Sequence, residues 1–214
     1  HYPLRRQRQM CIRDRSIWAG VERLVSRFND DQIKIVRLID PEMSRTMSEA
    51  VLSWVLYLHR DMPFYKAQQN KSIWKENIYI KPSHKTVGFL GLGQLGKSSA
   101  LKILNNGFNV CGWSRTKKNI KKIKCFTGEQ GLKKMFNMTD ILVCLIPLTK
   151  KTKYLLNYKK LSYLKKGASI INFARGPIIK TIDLVKHLNS GNIKHAVLDV
   201  CLLYTSPSPR DGLL

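Results

Sequence analysis

One short string constrains this chain more than any other: Gly91-Leu92-Gly93-Gln94-Leu95-Gly96, a G-x-G-x-x-G pattern. Alone, such a string is weak. Here it follows an apolar run, Val87-Gly88-Phe89-Leu90, and opens a stretch with helical periodicity. That setting gives the glycines a purpose. Gly91 permits a tight turn out of a strand, Gly93 lets the backbone approach a pyrophosphate, and Gly96 lets helix and strand pack closely. The helix start would then offer unpaired N–H groups and the positive end of its dipole to phosphates. The plainer alternative, a glycine-rich turn with no ligand, explains the turn but not the ordered spacing.

The surrounding pattern extends this unit into a domain. Strands are predicted over residues 86–90, 108–113, 141–146, 168–173 and 195–200, and helices over 94–105, 128–137, 159–164 and 181–190. Strands alternating with short helices imply right-handed crossovers and an α/β fold: a doubly wound parallel sheet of the Rossmann type. The run Ile141-Leu142-Val143-Cys144-Leu145-Ile146 has the continuous apolar character that burial on both faces demands. Upstream, residues 41–69 read as helix, with Met43, Met47, Val51, Val55 and Leu58 on one stripe and a second helix starting near Pro63. Residues 71–85 are polar and irregular, an inter-domain connection for which Trp74 is the expected anchor. Residues 21–28 read as helix and 33–38 as strand.

Composition excludes several classes. The chain of 214 residues is 43% hydrophobic, ordinary for a globular protein. It has no apolar run of the roughly 18 residues that suggest a membrane span. Its five cysteines form no CxxC pair, which argues against zinc or a disulfide framework and fits a reducing, cytoplasmic compartment. No metal site is expected. The net charge of +24 raises the question of nucleic acid. The lysines come as pairs between apolar blocks, as on solvated faces, without interleaved aromatic residues to stack bases. Nucleic-acid binding is therefore not expected.

The two ends read differently from the middle. Met10 to Arg15 can be encoded by ATG TGT ATA AGA GAC AG, and the reverse complement of that string encodes Cys201-Leu202-Leu203-Tyr204-Thr205. Complementary ends suggest translated sequencing adapter, to be left out of fold reasoning. The expected division is residues 1–15 non-native, 16–70 a substrate-domain remnant with a crossover helix, 71–200 the dinucleotide domain, and 201–214 a non-native tail.

The end of the second strand bears on the cofactor. An NAD site usually places an acid about 20 residues past the glycine motif to hold the ribose hydroxyls. Trp113-Ser114-Arg115 has none, and Lys117 and Lys118 follow. A hydroxyl and a guanidinium suit a 2′-phosphate, so NADPH (NADP) is favoured and NAD remains the alternative. In a wound sheet, ligands lie beyond the carboxyl ends of the strands. Pro147, Arg175 and Asp199 follow or end strands at that edge. A guanidinium at Arg175 could clamp a carboxylate and polarise an adjacent carbonyl.

Taken together, residues 87–96, Trp113-Ser114-Arg115, 140–149, 170–176 and 196–200 resemble the D-isomer-specific 2-hydroxyacid dehydrogenases, and within them the glyoxylate/hydroxypyruvate reductase A group. Upstream, Ala19-Gly20-Val21-Glu22 is similar to the family's substrate-carboxylate loop, and Arg37-Leu38-Ile39-Asp40-Pro41-Glu42 with His59-Arg60-Asp61 to the region leading into its inter-domain helix. The resemblance implies a second, flavodoxin-like substrate domain. It implies that Gln94 and Leu95 face the pyrophosphate, Ser114 and Arg115 the 2′-phosphate, Leu145 and Pro147 the adenosine, and Asp199 the nicotinamide carboxamide. Ala19 and Gly20 would bind the substrate carboxylate with Trp18 at the pocket border, and Arg175 would be the catalytic residue that binds and polarises a 2-oxo acid. Hydride would pass from the nicotinamide to the keto carbon of glyoxylate or hydroxypyruvate, and a histidine tuned by a glutamate would protonate the oxygen.

The chain departs from that pattern at one place. The family's glutamate and histidine fall after Asp199, where residues 201–214 contain neither type. His187 and His195 do not match the motif and read as surface or structural residues. Cofactor binding with little or no turnover is the expectation for this polypeptide, and a homodimer for a full-length protein. The competing readings are a non-catalytic dinucleotide-sensing protein of the same superfamily and a 3-hydroxyacid dehydrogenase. The long segment before the glycine motif disfavours the second.

Overall fold

The computed structural model describes residues 14–16, 35–37 and 40–200. The chain divides into two compact units, His1–Met43 and Ser44–Leu214. In the first, strands β1 (Asp14–Ser16) and β2 (Ile35–Arg37) pair in parallel. Asp14 and Arg15, which the codon argument sets outside the fold, therefore take part in backbone pairing.

Helix α1 (Pro41–His59) begins where sequence chemistry places a start. Proline occupies its first position, and the Asp40 carboxylate accepts the Glu42 N–H at 2.9 Å. Val51, Val55 and Leu58 are buried on one stripe. Nearer the start, Ser44 and Ser48 are buried while Met43 and Met47 are only half-buried, so the predicted column is off by one position there. As the sequence suggests, a second helix begins near Pro63. Helix α1 breaks at Arg60-Asp61, and α2 (Met62–Gln69) starts afresh. Pro63 lacks an N–H and crowds the preceding turn. Asp61 absorbs the bend in a left-handed conformation (φ 54°).

The Asp61 carboxylate is held across the fold by Lys194 Nζ, at 2.7 and 2.8 Å. Residues 71–81 then run exposed to a short 3₁₀ turn, Pro82–His84. Trp74 does not anchor this connection: its side chain is 94% exposed. No helix or strand among the described residues brings an apolar face over it.

Six strands follow: β3 (Thr86–Leu90), β4 (Asn109–Trp113), β5 (Lys124–Phe126), β6 (Ile141–Cys144), β7 (Ala168–Asn172) and β8 (Ile193–Leu198). They form one parallel sheet in the order β5-β4-β3-β6-β7-β8. The helices are α3 (Gln94–Asn105), α4 (Gly128–Met138), α5 (Tyr158–Leu161) and α6 (Thr181–Asn189). Alternate side chains of each strand enter opposite cores. Val87, Phe89, Val143 and Ile171 pack with α1 and α3; Leu90, Leu142, Cys144 and Ile170 pack with α4, α5 and α6. Covered on both sides, the central strands need the unbroken apolar runs seen in the sequence.

Several details differ from the sequence reading: β8 runs Ile193–Leu198 rather than 195–200, and α5 stops at Leu161 rather than 164. β6 stops at Cys144, since Pro147 has no N–H to continue the ladder, although Leu145 N–H still donates to Leu90 O at 2.9 Å. β5 is an unpredicted edge strand of three residues inside a lysine-rich stretch.

A candidate dinucleotide and 2-oxo acid site

The strand order reverses between β3 and β6. The connection after β3 enters α3 on one face, and the connection after β6 leads to α5 on the other. Departing in opposite directions, the two loops leave a crevice at the carboxyl end of the sheet. The predicted site residues of the described chain fall just beyond the carboxyl ends of β3, β4, β6, β7 and β8.

The glycine loop is built as its spacing demands. Gly91 has φ 108°, and a Cβ there would stand 2.8 Å from Leu145 O and from Ile146 Cγ2. Its N–H donates to Trp113 O at 2.9 Å, tying the loop to the neighbouring strand. A Cβ at Gly96 would collide with the Gly91 carbonyl, so only glycine lets α3 lie this close to β3. Gly93 differs. It is exposed, its φ is −71°, and a Cβ there would meet nothing within 4 Å. It borders open space at the start of α3, whose N-terminus has no side-chain cap. Gln94 is exposed beside it and Leu95 half-buried. A helix start with open space over its first turn fits a pyrophosphate.

At the end of β4, Arg115 is exposed. Ser114 is buried, and its hydroxyl donates to Thr116 O at 2.7 Å while its N–H donates to Phe126 O at 3.1 Å. The single hydroxyl proton thus shapes the loop in this conformation and must turn to reach a phosphate. After β6, Leu145 is half-buried and Pro147 exposed. Thr152 closes that loop: its hydroxyl donates to Pro147 O and accepts the Thr149 N–H, both at 2.7 Å.

Beyond β7 stands Arg175, half-buried, with Nη1 donating to Ala174 O at 2.7 Å. Asp199, exposed, follows β8 and is bonded through its N–H to Asn172 O at 3.2 Å. The reading from sequence gave Asn172 no role. Fully buried, it stitches the turn that carries Arg175. The histidines lie elsewhere. His187 is buried, with Nε2 3.0 Å from Tyr158 O and its ring 4.5 Å from the Tyr158 ring, so it is structural. His195 lies near the opposite end of β8, with Nε2 3.9 Å from Asp61 Oδ1.

Comparison with known proteins agrees with this geometry. The model of the D-isomer specific 2-hydroxyacid dehydrogenase NAD binding domain matches residues 52–213. The chain belongs to this family. It is 39% identical to a glyoxylate/hydroxypyruvate reductase A of Yersinia enterocolitica over 168 residues, 78% of this chain and 54% of that protein. It is 33% identical to that of Salmonella heidelberg over 205 residues, 93% of this chain and 65% of that protein. A D-isomer specific 2-hydroxyacid dehydrogenase of Xanthobacter autotrophicus Py2, solved with NADPH and MES, superposes with TM-score 0.87 at 38% identity, covering 91% of this chain and 62% of that one. A glyoxylate/hydroxypyruvate reductase of Sinorhizobium meliloti, solved with NADP and sulfate, gives TM-score 0.85 at 31% identity, covering 94% and 65%.

The chain therefore spans between about half and two thirds of the length of these relatives. Residues 52–200 of the described part fall within the match to the family's NAD binding domain. The substrate-loop residues Trp18, Ala19 and Gly20 lie outside the described residues. Among the described residues, no helix is long and apolar enough to cross a membrane.

Proposed function

We propose that this chain supplies the cofactor-binding part of an NADPH-dependent reductase that converts a small 2-oxo acid, glyoxylate or hydroxypyruvate, to its 2-hydroxy acid. The observation that carries the cofactor preference is the end of β4, where Ser114 and exposed Arg115 stand in place of an acid. The NADP and NADPH bound by the Sinorhizobium and Xanthobacter relatives support it. When bound, the cofactor supplies the hydride. The chain's own residues do the rest: Gly91, Gly93, Gln94, Leu95 and Gly96 receive the pyrophosphate, Leu145 and Pro147 border the adenosine, and Asp199 meets the carboxamide. Arg175 holds the substrate carboxylate and draws charge toward the carbonyl oxygen as it develops.

A second copy is the expected partner, through exposed Trp54, Leu56, Met62 and Tyr65 on α1 and α2. The free cysteines Cys111, Cys125 and Cys144 suit a reducing cytoplasm. The test is a fluorescence titration with NADPH and NADH. NADPH should bind at least tenfold more tightly, and Arg115→Ala should erase most of that margin, equivalent to about 1.4 kcal/mol or more. Equal affinities for the two cofactors in the unsubstituted chain would remove the basis for the assignment.

A further inference from the structure

Three hydrogen bonds close on one another at the end of β7. The Asn172 side chain is 1% exposed. Its Oδ1 accepts the Ala174 N–H at 3.1 Å, and its Nδ2 donates to Arg175 O at 3.0 Å. Between those two anchors lies the Ala174 carbonyl, which accepts Arg175 Nη1 at 2.7 Å. The carboxamide thus holds both sides of the peptide against which the guanidinium rests. The Asn172 main-chain carbonyl meanwhile accepts the Asp199 N–H at 3.2 Å, extending the β7–β8 ladder by one bond. One buried residue therefore touches the turn that aims Arg175 and the backbone that places Asp199.

The requirement is specific. The turn needs an acceptor and a donor from one short side chain, and among the short side chains only the asparagine carboxamide supplies both in fixed directions when neutral partners are required. Aspartate keeps the acceptor for Ala174 but loses the donor for Arg175. Glutamine is one methylene too long for a fully packed position. A buried apolar residue would leave the Ala174 N–H and part of the Arg175 carbonyl's bonding unmatched.

We propose that Asn172 is a positioning residue whose side-chain carboxamide sets the Arg175 guanidinium, while its main-chain carbonyl, which any residue would supply, ties the same strand end to Asp199. The proposal rests on the assignment of Arg175 and Asp199 given under Proposed function. Asn172 itself meets neither cofactor nor substrate. Loss of its carboxamide should therefore weaken carboxylate binding through Arg175 and spare the dinucleotide phosphates at Gly93.

The test uses the whole 214-residue chain and oxalate as probe. NADPH affinity is read by fluorescence, and oxalate affinity by titration of the NADPH-saturated protein. Asn172→Ala should weaken oxalate at least tenfold, change the NADPH Kd less than twofold, and have less than a twofold effect on oxalate in an Arg175→Ala background. Asn172→Asp, of the same size and retaining the Ala174 acceptor, should reproduce the split if the alanine variant folds poorly. Independently of any ligand, the Arg175 Nε–Hε resonance should move in both variants. An unmoved resonance overturns the proposal. So does equal weakening of NADPH and oxalate, or an undiminished oxalate loss in the Arg175→Ala background. If the unsubstituted chain binds NADPH but not oxalate, the substrate assignment of Arg175 fails, and the resonance still decides the positioning role.

Discussion

Gly91 and Gly93 stand two residues apart in one loop, yet alanine at each should fail in opposite ways. At Gly91, φ is 108°, where an L-residue is disfavoured by roughly 1–2 kcal/mol. Its Cβ would also press on Leu145 O and Ile146 Cγ2 at 2.8 Å, an overpacking that typically adds about 1–3 kcal/mol. Together these give a loss of about 2–5 kcal/mol, or a Tm lower by about 4–20 °C for a domain of this size. At Gly93, φ is −71° and the space around a Cβ is open. Alanine there loses a few tenths of a kcal/mol as a helix cap and gains about as much by restricting the unfolded chain. Stability should change by no more than about 0.5 kcal/mol.

Affinity should run the other way. The Gly93 methyl would project into the space assigned to the pyrophosphate. Displacing one charge-assisted N–H contact, worth about 1.5–3 kcal/mol, predicts NADPH binding weaker by roughly 10- to 150-fold. Thermal unfolding by circular dichroism and NADPH fluorescence titration on the two variants separate the effects. A Gly93→Ala protein with unchanged NADPH affinity, or one as unstable as Gly91→Ala, would show that the phosphates do not lie where the loop geometry puts them.

Acid should destabilise the amino-end elbow. Burial holds both His59 and His195 below the usual histidine value, with Lys85 and Arg60 adding to the effect at His59 and Lys194 at His195, while Asp61 partly opposes it at His195. The unfolded chain then takes up these protons first, so stability is whole above about pH 6.5 and declines as the pH falls below it. The urea midpoint should drop between pH 7.5 and 5.5, with a smaller drop for His59→Phe; a midpoint that rises on acidification would contradict this. Among the thiols, burial pushes Cys111 up to about 11 and Cys144 up to about 12. Brief iodoacetamide treatment at pH 8 should leave both unmodified by mass spectrometry while half-buried Cys125 is alkylated; early labelling of Cys144 would mean the second core opens far more readily than its packing implies.

Where local chemistry is decisive, the fold was legible in advance. β3 and α3 begin and end where the glycine motif and the apolar runs place them, because turn geometry, strand burial and helix start all act over a few residues. Long-range pairing was not legible. Asp61 can bend the chain because Lys194, 133 positions away, holds its carboxylate, and no local pattern announces that partner. β5 escaped notice because an edge strand of three residues needs only a backbone neighbour, which β4 provides. Trp74 misled because a large aromatic residue in a polar stretch suggests a buried anchor. Asn172 was visible as a letter beside Arg175, but its role depends on turn coordinates that bring Ala174 N–H and Arg175 O within reach of one side chain.

The two ends of the sheet also divide the chain's charge, which bears on what the crevice can accept. At the amino end, carboxylates are locked into structure. Asp140 accepts the Thr86 N–H at 2.8 Å and Lys165 Nζ at 2.9 Å, and Asp61 holds Lys194. At the carboxyl end, the loops following β3, β4, β6 and β7 contain no Asp or Glu at all, but carry Arg115, Lys117, Lys118, Lys150, Lys151, Lys153, Arg175 and Lys180. Among the described residues the acids near that edge are Asp199, after β8, and Glu129 and Asp183 in the first turns of α4 and α6, where Lys160 and Lys180 offset them. A neutral ligand would gain nothing from such a field. A field of this sign would favour anionic ligands, with Arg115 and Arg175 on separate loops as the cations proposed to receive a phosphate and a carboxylate. The high net charge, which first suggests nucleic acid, thus falls in part on the edge to which the proposed small anionic ligands are assigned.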